Sequence, residues 1–233
     1  ECKLDNIAQK TGENFIVSAS ATLLEGSFKL LFFNTKDSLD DILLQKKIEK
    51  GFEQDEALVL RFSSKRNNAF IDSFKKYRQM PKLIIFTEEK KLTHTIATQT
   101  DDYNSIFFID RKIKKKKKIQ NNFKNKFETQ HENKNLIGYI KGKKQDSTIV
   151  FSAHYDHLGM QGNAMFPGAS DNASGTSMVL YLAKYFSTHK PPCNIVFILF
   201  SGEEAGLLGS KYFTDHPTFD IRKIKMLINI DIM

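Results

Sequence analysis

The chain has 233 residues, of which 40% are hydrophobic, enough for the core of one large or two modest domains, so disorder throughout is excluded. Its formal net charge of +8 is local, because residues 111–127 hold nine lysines and arginines and no acidic residue. The two cysteines lie far apart in sequence, which excludes a disulfide framework and a cysteine-based zinc site. No apolar run approaches the roughly 20 residues that span a bilayer, so we expect no transmembrane segment.

The first 110 residues are predicted to form a compact α/β unit. Short apolar runs indicate three buried strands, at Leu58–Phe62, Leu83–Phe86 and Ser105–Ile109. Between the first two, a helix is predicted from Asn68 to Arg78, because aromatic and aliphatic residues recur there at three- and four-residue spacing. That stripe indicates a face packed on a core rather than a ligand site.

A lysine- and asparagine-rich stretch follows, from Lys112 to Lys134. Its apolar content is too low to pack, so we interpret it as a solvated linker and expect a domain boundary near residue 130, giving domains 1–130 and 131–233. A contact with an anionic membrane surface or with nucleic acid is the alternative. Nucleic acid is disfavoured because only Phe123 and Phe127 accompany the lysines and no recognition motif is present.

The remaining residues are predicted to form an α/β layered domain. Strands are expected at Asn135–Ile140, Thr148–Ala153, Asn194–Phe200 and Met226–Ile230, with helices at Asn172–Ser187 and Ala205–Asp215. The run Ile195–Phe200 is apolar at every position, which favours a central strand covered by helices on both faces of a mainly parallel sheet.

Potential metal ligands gather where these strands end. His154 follows its strand directly, Glu203 and Glu204 follow the central strand after Ser-Gly, and Asp231 ends the last strand. In open α/β sheets, sites form at the carboxyl ends of strands, and imidazole and carboxylate groups are zinc ligands. Asp171 lies in a Gly/Pro-rich loop from which it could reach the same edge, or it could cap the following helix.

The other histidines lack such support and are interpreted as surface or loop residues. They are His94, His131, His157, His189 and His216.

Four segments in order resemble the co-catalytic di-zinc aminopeptidases of metallopeptidase family 28. They are His-Tyr-Asp-His-Leu-Gly at 154–159, Pro-Gly-Ala-Ser-Asp-Asn-Ala-Ser-Gly-Thr at 167–176, Gly-Glu-Glu-Ala-Gly-Leu-Leu-Gly-Ser at 202–210 and Asn-Ile-Asp-Ile-Met at 229–233. The resemblance implies a layered α/β/α peptidase domain, incomplete in these residues, that hydrolyses peptides with a free N-terminus.

The resemblance also implies a role for each site residue. His154, Asp171 and Asp231 bind one zinc, and Asp171 bridges to a second zinc bound by Glu204. A bridge requires a carboxylate, since imidazole offers a single lone pair to a metal. Glu203 is implied as the general base, and Asp156 as the residue that orients His154 through its other ring nitrogen.

Family members supply one further zinc ligand, a histidine beyond the Asn-x-Asp motif, which these 233 residues do not include. We therefore expect the second zinc to be weakly held and the activity of this chain alone to be low. Two alternatives stay open: an inactive binding protein on the same scaffold, and a single-zinc enzyme resembling glutaminyl cyclases.

The first domain resembles more loosely the smaller, protease-associated α/β domain often inserted in these peptidases, through segments 57–60, 80–86 and 104–109. The chain begins at Glu1 rather than Met, which suggests processing. The expected location is outside the cytoplasm, as a secreted, periplasmic or lipid-anchored protein.

Overall fold

The computed structural model describes residues 1–33, 42–61, 80–88, 91–92 and 94–233. The chain divides into two compact units: Glu1–Glu128 together with Met160–Met165, and Thr129–Gly159 together with Phe166–Met233. The predicted helix Asn68–Arg78 and Phe62, the last residue of the first predicted strand, lie outside the described residues.

The described part of the first unit contains one eight-stranded sheet. Its elements are β1 (Cys2–Leu4), β2 (Ile7–Ala8), β3 (Phe15–Val17), β4 (Leu24–Phe33), α1 (Ile42–Lys50), β5 (Glu56–Arg61), β6 (Leu83–Glu88), β7 (Asn104–Ile109), α2 (Asp110–Ile113) and β8 (Lys118–Phe123). The strand order is β2-β1-β8-β4-β5-β6-β7-β3, with β4 to β7 mutually parallel and the other pairs antiparallel.

Side chains of the central strands point alternately to the two faces of the sheet, so this unit has two hydrophobic cores, one on each face. In β5, Ala57 and Val59 face one cluster and Leu58 and Leu60 face the other, and all four are fully buried. Helix α1 covers the second cluster with apolar residues such as Leu44. Strands buried on both faces read as continuous apolar runs, which is why β5 to β7 were recognisable from sequence.

The interpretation of Lys112–Lys134 as a linker is wrong for residues 118–123, which form β8. This strand lies between β1 and β4, antiparallel to both. Its Ile119 is fully buried and its Asn121 is 4% exposed, whereas Lys118 and Asn122 are exposed. The average composition of the stretch concealed this two-residue alternation.

The two thiols should differ sharply in reactivity. Burial raises the pKa of Cys2 to about 12 against the smaller lowering effect of the N-terminal ammonium group, whereas Cys193 is partly exposed. Because the thiolate is the reactive form, a disulfide reagent at pH 8 should modify Cys193 in the native chain and Cys2 only after unfolding in guanidinium. Cys193→Ser should abolish the native reaction. Equal labelling rates at both positions would contradict this assignment.

Residues 129–159 and 166–233, all of which are described, build the second unit around a four-stranded sheet. In chain order the elements are β9 (Leu136–Ile140), β10 (Lys144–His154), the hairpin β11 (Gly159–Gln161) and β12 (Ala164–Phe166), a π-helical segment (Ala169–Ser174), α3 (Gly175–Thr188), β13 (Cys193–Phe200), α4 (Leu208–Asp215), a 3₁₀ turn (Ile221–Lys223) and β14 (Ile224–Asn229). Within the hairpin, Met160–Met165 belong to the first unit. The sheet order is β14-β10-β13-β9.

This sheet is mainly parallel, as predicted. Strand β10 is parallel to β13 and β14, and β9 is antiparallel to β13. Residues of α3 such as Val179 pack with Ile195 and Phe197 on one face, and Phe213 of α4 packs with Val196 and Ile198 on the other. The layered α/β/α arrangement with an apolar central strand is therefore confirmed. Among the described residues, no helix combines the length and apolar character needed to cross a bilayer.

Candidate metal centre

The parallel register brings three strand ends to one edge of the second unit. His154, the last residue of β10, pairs with Phe200 at the end of β13, and Ser152 pairs with Asn229 at the end of β14. Side chains in the loops that follow therefore meet near His154, which is only 4% exposed.

A first group of donor atoms surrounds the ring of His154. Its Nε2 lies 3.1 Å from Asp171 Oδ1 and 3.4 Å from Asp231 Oδ1. Its Nδ1 lies 3.1 Å from the carbonyl oxygen of Asp156, which can only accept a hydrogen bond, so Nδ1 carries the proton. In the neutral ring, the lone pair of Nε2 then faces two carboxylates, an arrangement that a cation would stabilise.

The electrostatics of His154 fit that reading. Burial lowers the pKa of His154. The hydrogen bond to Asp156 and the charges of Glu203, Asp231 and Asp156 raise it by more than burial lowers it, so the net shift of the pKa is upward. The surrounding carboxylates thus favour a positive charge at Nε2 of His154, as a proton or as a metal ion.

Asn172 holds the loop that carries Asp171. The Nδ2 of Asn172 donates to the carbonyl of Ile230 at 2.9 Å, and its Oδ1 accepts from Gly175 N at 3.0 Å. The hydrogen bond to the first turn of α3 is therefore made by Asn172, which leaves the carboxylate of Asp171 for other contacts. A side chain on Gly175 would approach the Ile230 carbonyl to 2.3 Å, so the helix start and the Asp231 loop are in close contact there.

A second group consists of His157, Asp171 and Glu204, and it shares Asp171 with the first. In each group, the ligand atoms lie within 4.8 Å of one another. His157 Nδ1 lies 2.7 Å from Glu204 Oε1, yet neither of these buried atoms makes a hydrogen bond. Buried polar atoms nearly always have partners, so this pair of donor atoms fits the ligands of a metal cation.

Asp156 has a different set of contacts from the one implied by sequence. Its carboxylate lies 3.8 Å from His154 Nδ1, beyond hydrogen-bond distance, and the carbonyl holds the ring instead. The two carboxylate oxygens accept hydrogen bonds from the backbone N–H groups of Glu203 and Glu204, each at 3.2 Å. Asp156 thus joins the loop after β10 to the loop after β13.

Glu203 belongs to neither donor group. Burial raises the pKa of its carboxyl, His154 lowers it, and the charges of Glu204, Asp231 and Asp156 raise it, with a net upward shift. A cavity of about 420 Å³ is lined by Glu203, His154 and Asp231 together with apolar residues such as Phe213 and Leu227. Glu203 is thus a carboxylate that can exchange protons with a molecule in this cavity.

The sequence-predicted residues His154, Asp171, Glu204 and Asp231 all fall in the two donor groups, with Glu203 and Asp156 beside them. The sequence predicts a surface or loop position for His157, and the structure places it in the loop after β10, where it lies among the potential ligands. The signal that could have identified it is its position in the loop after β10, three residues beyond His154 and next to Asp156.

Part of the chain is similar in sequence to known peptidases. Residues 135–233 match the profile of peptidase family M28. The chain is 34% identical over 108 residues to "Aminopeptidase YwaD" of Bacillus subtilis (strain 168), a match that covers 45% of this chain and 23% of that protein. It is 36% identical over 103 residues to a "Probable zinc metalloprotease" of Pyricularia oryzae, covering 42% of this chain and 20% of that protein.

The fold has a solved counterpart as well. The crystal structure of BSAP, a zinc aminopeptidase from Bacillus subtilis, aligns with 99% of this chain at a TM-score of 0.67 and 18% identity. The chain spans 55% of that protein, and about a fifth to a quarter of each curated relative is matched. The similarity to peptidase family M28 therefore lies in residues 135–233 of this chain.

Proposed function

We propose that the protein is a zinc-dependent exopeptidase of the aminopeptidase type. The observation that carries the proposal is the pair of donor groups that share Asp171, with the carboxylate of Glu203 beside them and outside both. Imidazole and carboxylate donors are the zinc ligands of hydrolases, and the relatives named above are an aminopeptidase and a probable zinc metalloprotease. The matched segment supports the same chemistry here.

Two zinc ions fit the proposal better than one. His154, Asp171 and Asp231 would hold the first, and Asp171 and Glu204 would contribute to the second, with Asp171 as the bridge. Zinc supplies Lewis acidity, which polarises a carbonyl group and lowers the pKa of water. Proton transfer and the orientation of the ligands would be carried out by side chains of the protein.

Glu203 would act as the general base and then as the general acid. Its carboxylate accepts a proton from the attacking water and delivers it to the leaving amine, so the group returns to its starting state after each cycle. Asp156 supports this by holding the backbone N–H of Glu203. His154 keeps its ring orientation through the Asp156 carbonyl and presents Nε2 to the metal.

The proposed substrate is a peptide with a free N-terminal amine. The mixture of carboxylates and apolar residues in the cavity supports this, because a carboxylate can bind the ammonium group while Phe213 and Leu227 contact an apolar side chain. Nucleic acid is not a proposed partner. A location outside the cytoplasm, by secretion, in the periplasm or on a lipid anchor, stays part of the proposal.

Removal of zinc should abolish hydrolysis of an aminoacyl p-nitroanilide, and added zinc should restore it. The same protein should leave the N-acetylated form of the substrate intact, since that compound lacks the free amine. The measurement is p-nitroaniline release before and after dialysis against 1,10-phenanthroline, with metal content by mass spectrometry. Unchanged activity after metal removal would reject the zinc enzyme, and equal cleavage of the acetylated substrate would reject the aminopeptidase.

A further inference from the structure

We propose that His157 is a protein ligand of the second metal position, together with Asp171 and Glu204. The inference rests on the proposed function for the identity of the metal. It assigns a ligand different from the histidine that the family resemblance implies beyond the Asn-x-Asp motif, because His157 lies inside the loop after β10.

The first argument is the contact between His157 and Glu204. Their Nδ1 and Oε1 atoms approach to 2.7 Å, and the two side chains are 22% and 17% exposed. Despite this short distance, neither buried atom has a hydrogen-bond partner among the described residues. Together with Asp171, whose carboxylate lies within 4.8 Å of both, these two atoms provide three potential ligands for one metal ion.

The second argument is how the ring is held. Gly168 adopts a left-handed conformation with φ of 63°, and a side chain there would approach His157 Cγ to 2.6 Å. The glycine therefore leaves space that the imidazole ring fills. On the other side, the backbone N–H of Glu204 donates to Asp156 Oδ2 at 3.2 Å, so the residue that precedes His157 is joined directly to Glu204. The relative position of the two donors is thus fixed by backbone contacts.

The third argument is chemical. A site made only of the carboxylates of Asp171 and Glu204 offers oxygen alone, which suits magnesium, calcium or manganese. An imidazole nitrogen shifts the preference towards zinc and cobalt, and His157 is the third potential ligand among the described residues. His157 would therefore determine which metal the second position selects as well as how tightly it binds.

The test is a cobalt titration of the 233-residue chain, followed by visible absorption and calorimetry. The unchanged chain should bind two cobalt ions, and His157→Ala should weaken the second by at least about 10-fold while the first, at His154, keeps its affinity. Because retention of the first site reports correct folding in the same sample, loss of the second can be assigned to the substitution. His131→Ala, which changes an exposed histidine, is the matched control.

A second variant separates a ligand from a hydrogen-bond partner. His157→Asn puts an amide nitrogen near the position of Nδ1, so it can donate to Glu204 but is a poor zinc-type ligand. The ligand role predicts that Asn behaves like Ala and that the cobalt band of the second site disappears in both. Restored affinity in Asn, or an unchanged second site in Ala, would overturn the inference about His157 alone. Absence of any metal binding by the unchanged chain would instead reject the proposed function.

Discussion

Glu203→Gln should lower kcat for aminopeptidase substrates by about 10²- to 10⁴-fold, the usual contribution of a general acid–base group. Zinc content should stay at the level of the unchanged protein, because Glu203 lies outside both donor groups. Glutamine keeps the size of the side chain and cannot accept a proton from water. The backbone hydrogen bond from Glu203 to Asp156 is unaffected by the exchange, so the loop should keep its position.

The matched control is Glu132→Gln, which removes the same charge from an exposed position in the same unit. It should leave kcat, KM and zinc content unchanged. The measurement is steady-state hydrolysis with metal analysis on the same preparations. If Glu203→Gln lost zinc in parallel with activity, Glu203 would be a ligand; if kcat fell less than 10-fold, the proton would be transferred by another group.

Asp171→Asn should have the second large effect, because this is the residue common to both donor groups. The amide has no charge and is a weak bridging ligand, so affinity should fall at both metal positions. The expected loss exceeds the roughly 10- to 100-fold that is typical when only a group supporting a ligand is removed. Metal-free stability should change little, since the Asp171 side chain is 43% exposed and the bond to α3 is made by Asn172.

Asp231→Asn is the comparison that makes this test specific. Asp231 belongs to the first group only, so its substitution should weaken one metal position and leave the other. Competition with a fluorescent zinc chelator would resolve the two affinities in each variant. A pattern in which Asp171→Asn and Asp231→Asn affect the same single position would argue against a shared carboxylate.

The elements of the second unit could be predicted because each is marked by a strong local pattern. The run Ile195–Phe200 has the continuous apolar character of a strand buried on both faces, and β13 extends from Cys193 to Phe200. Helix α3, Gly175–Thr188, begins three residues later than predicted because the chain first makes the π-helical segment Ala169–Ser174. Such a segment depends on contacts with the Asp231 loop, which is distant in sequence.

The candidate site was predictable where a residue directly follows a strand. His154 and Asp231 have positions set by strand direction alone, so their proximity followed from a parallel sheet. The contacts of His157 and Asp156 depend instead on the paths of loops, such as the left-handed turn at Gly168, that no periodicity encodes. The strand β8 was missed for a different reason, since its lysines dominated the composition while Ile119 carried the packing.

The connections that follow β10 and β13 have a consequence for how such a site can change. The chain leaves β10 to form α3 on one face of the sheet, and it leaves the adjacent β13 to form α4 on the opposite face. When the connections from two adjacent strands go to opposite faces of a sheet, a crevice forms between them at the carboxyl ends of the strands. The backbone alone produces this crevice, whatever the side chains are. Specificity can therefore vary through the residues of the diverging loops while the sheet keeps its packing, which separates the evolution of substrate choice from that of stability.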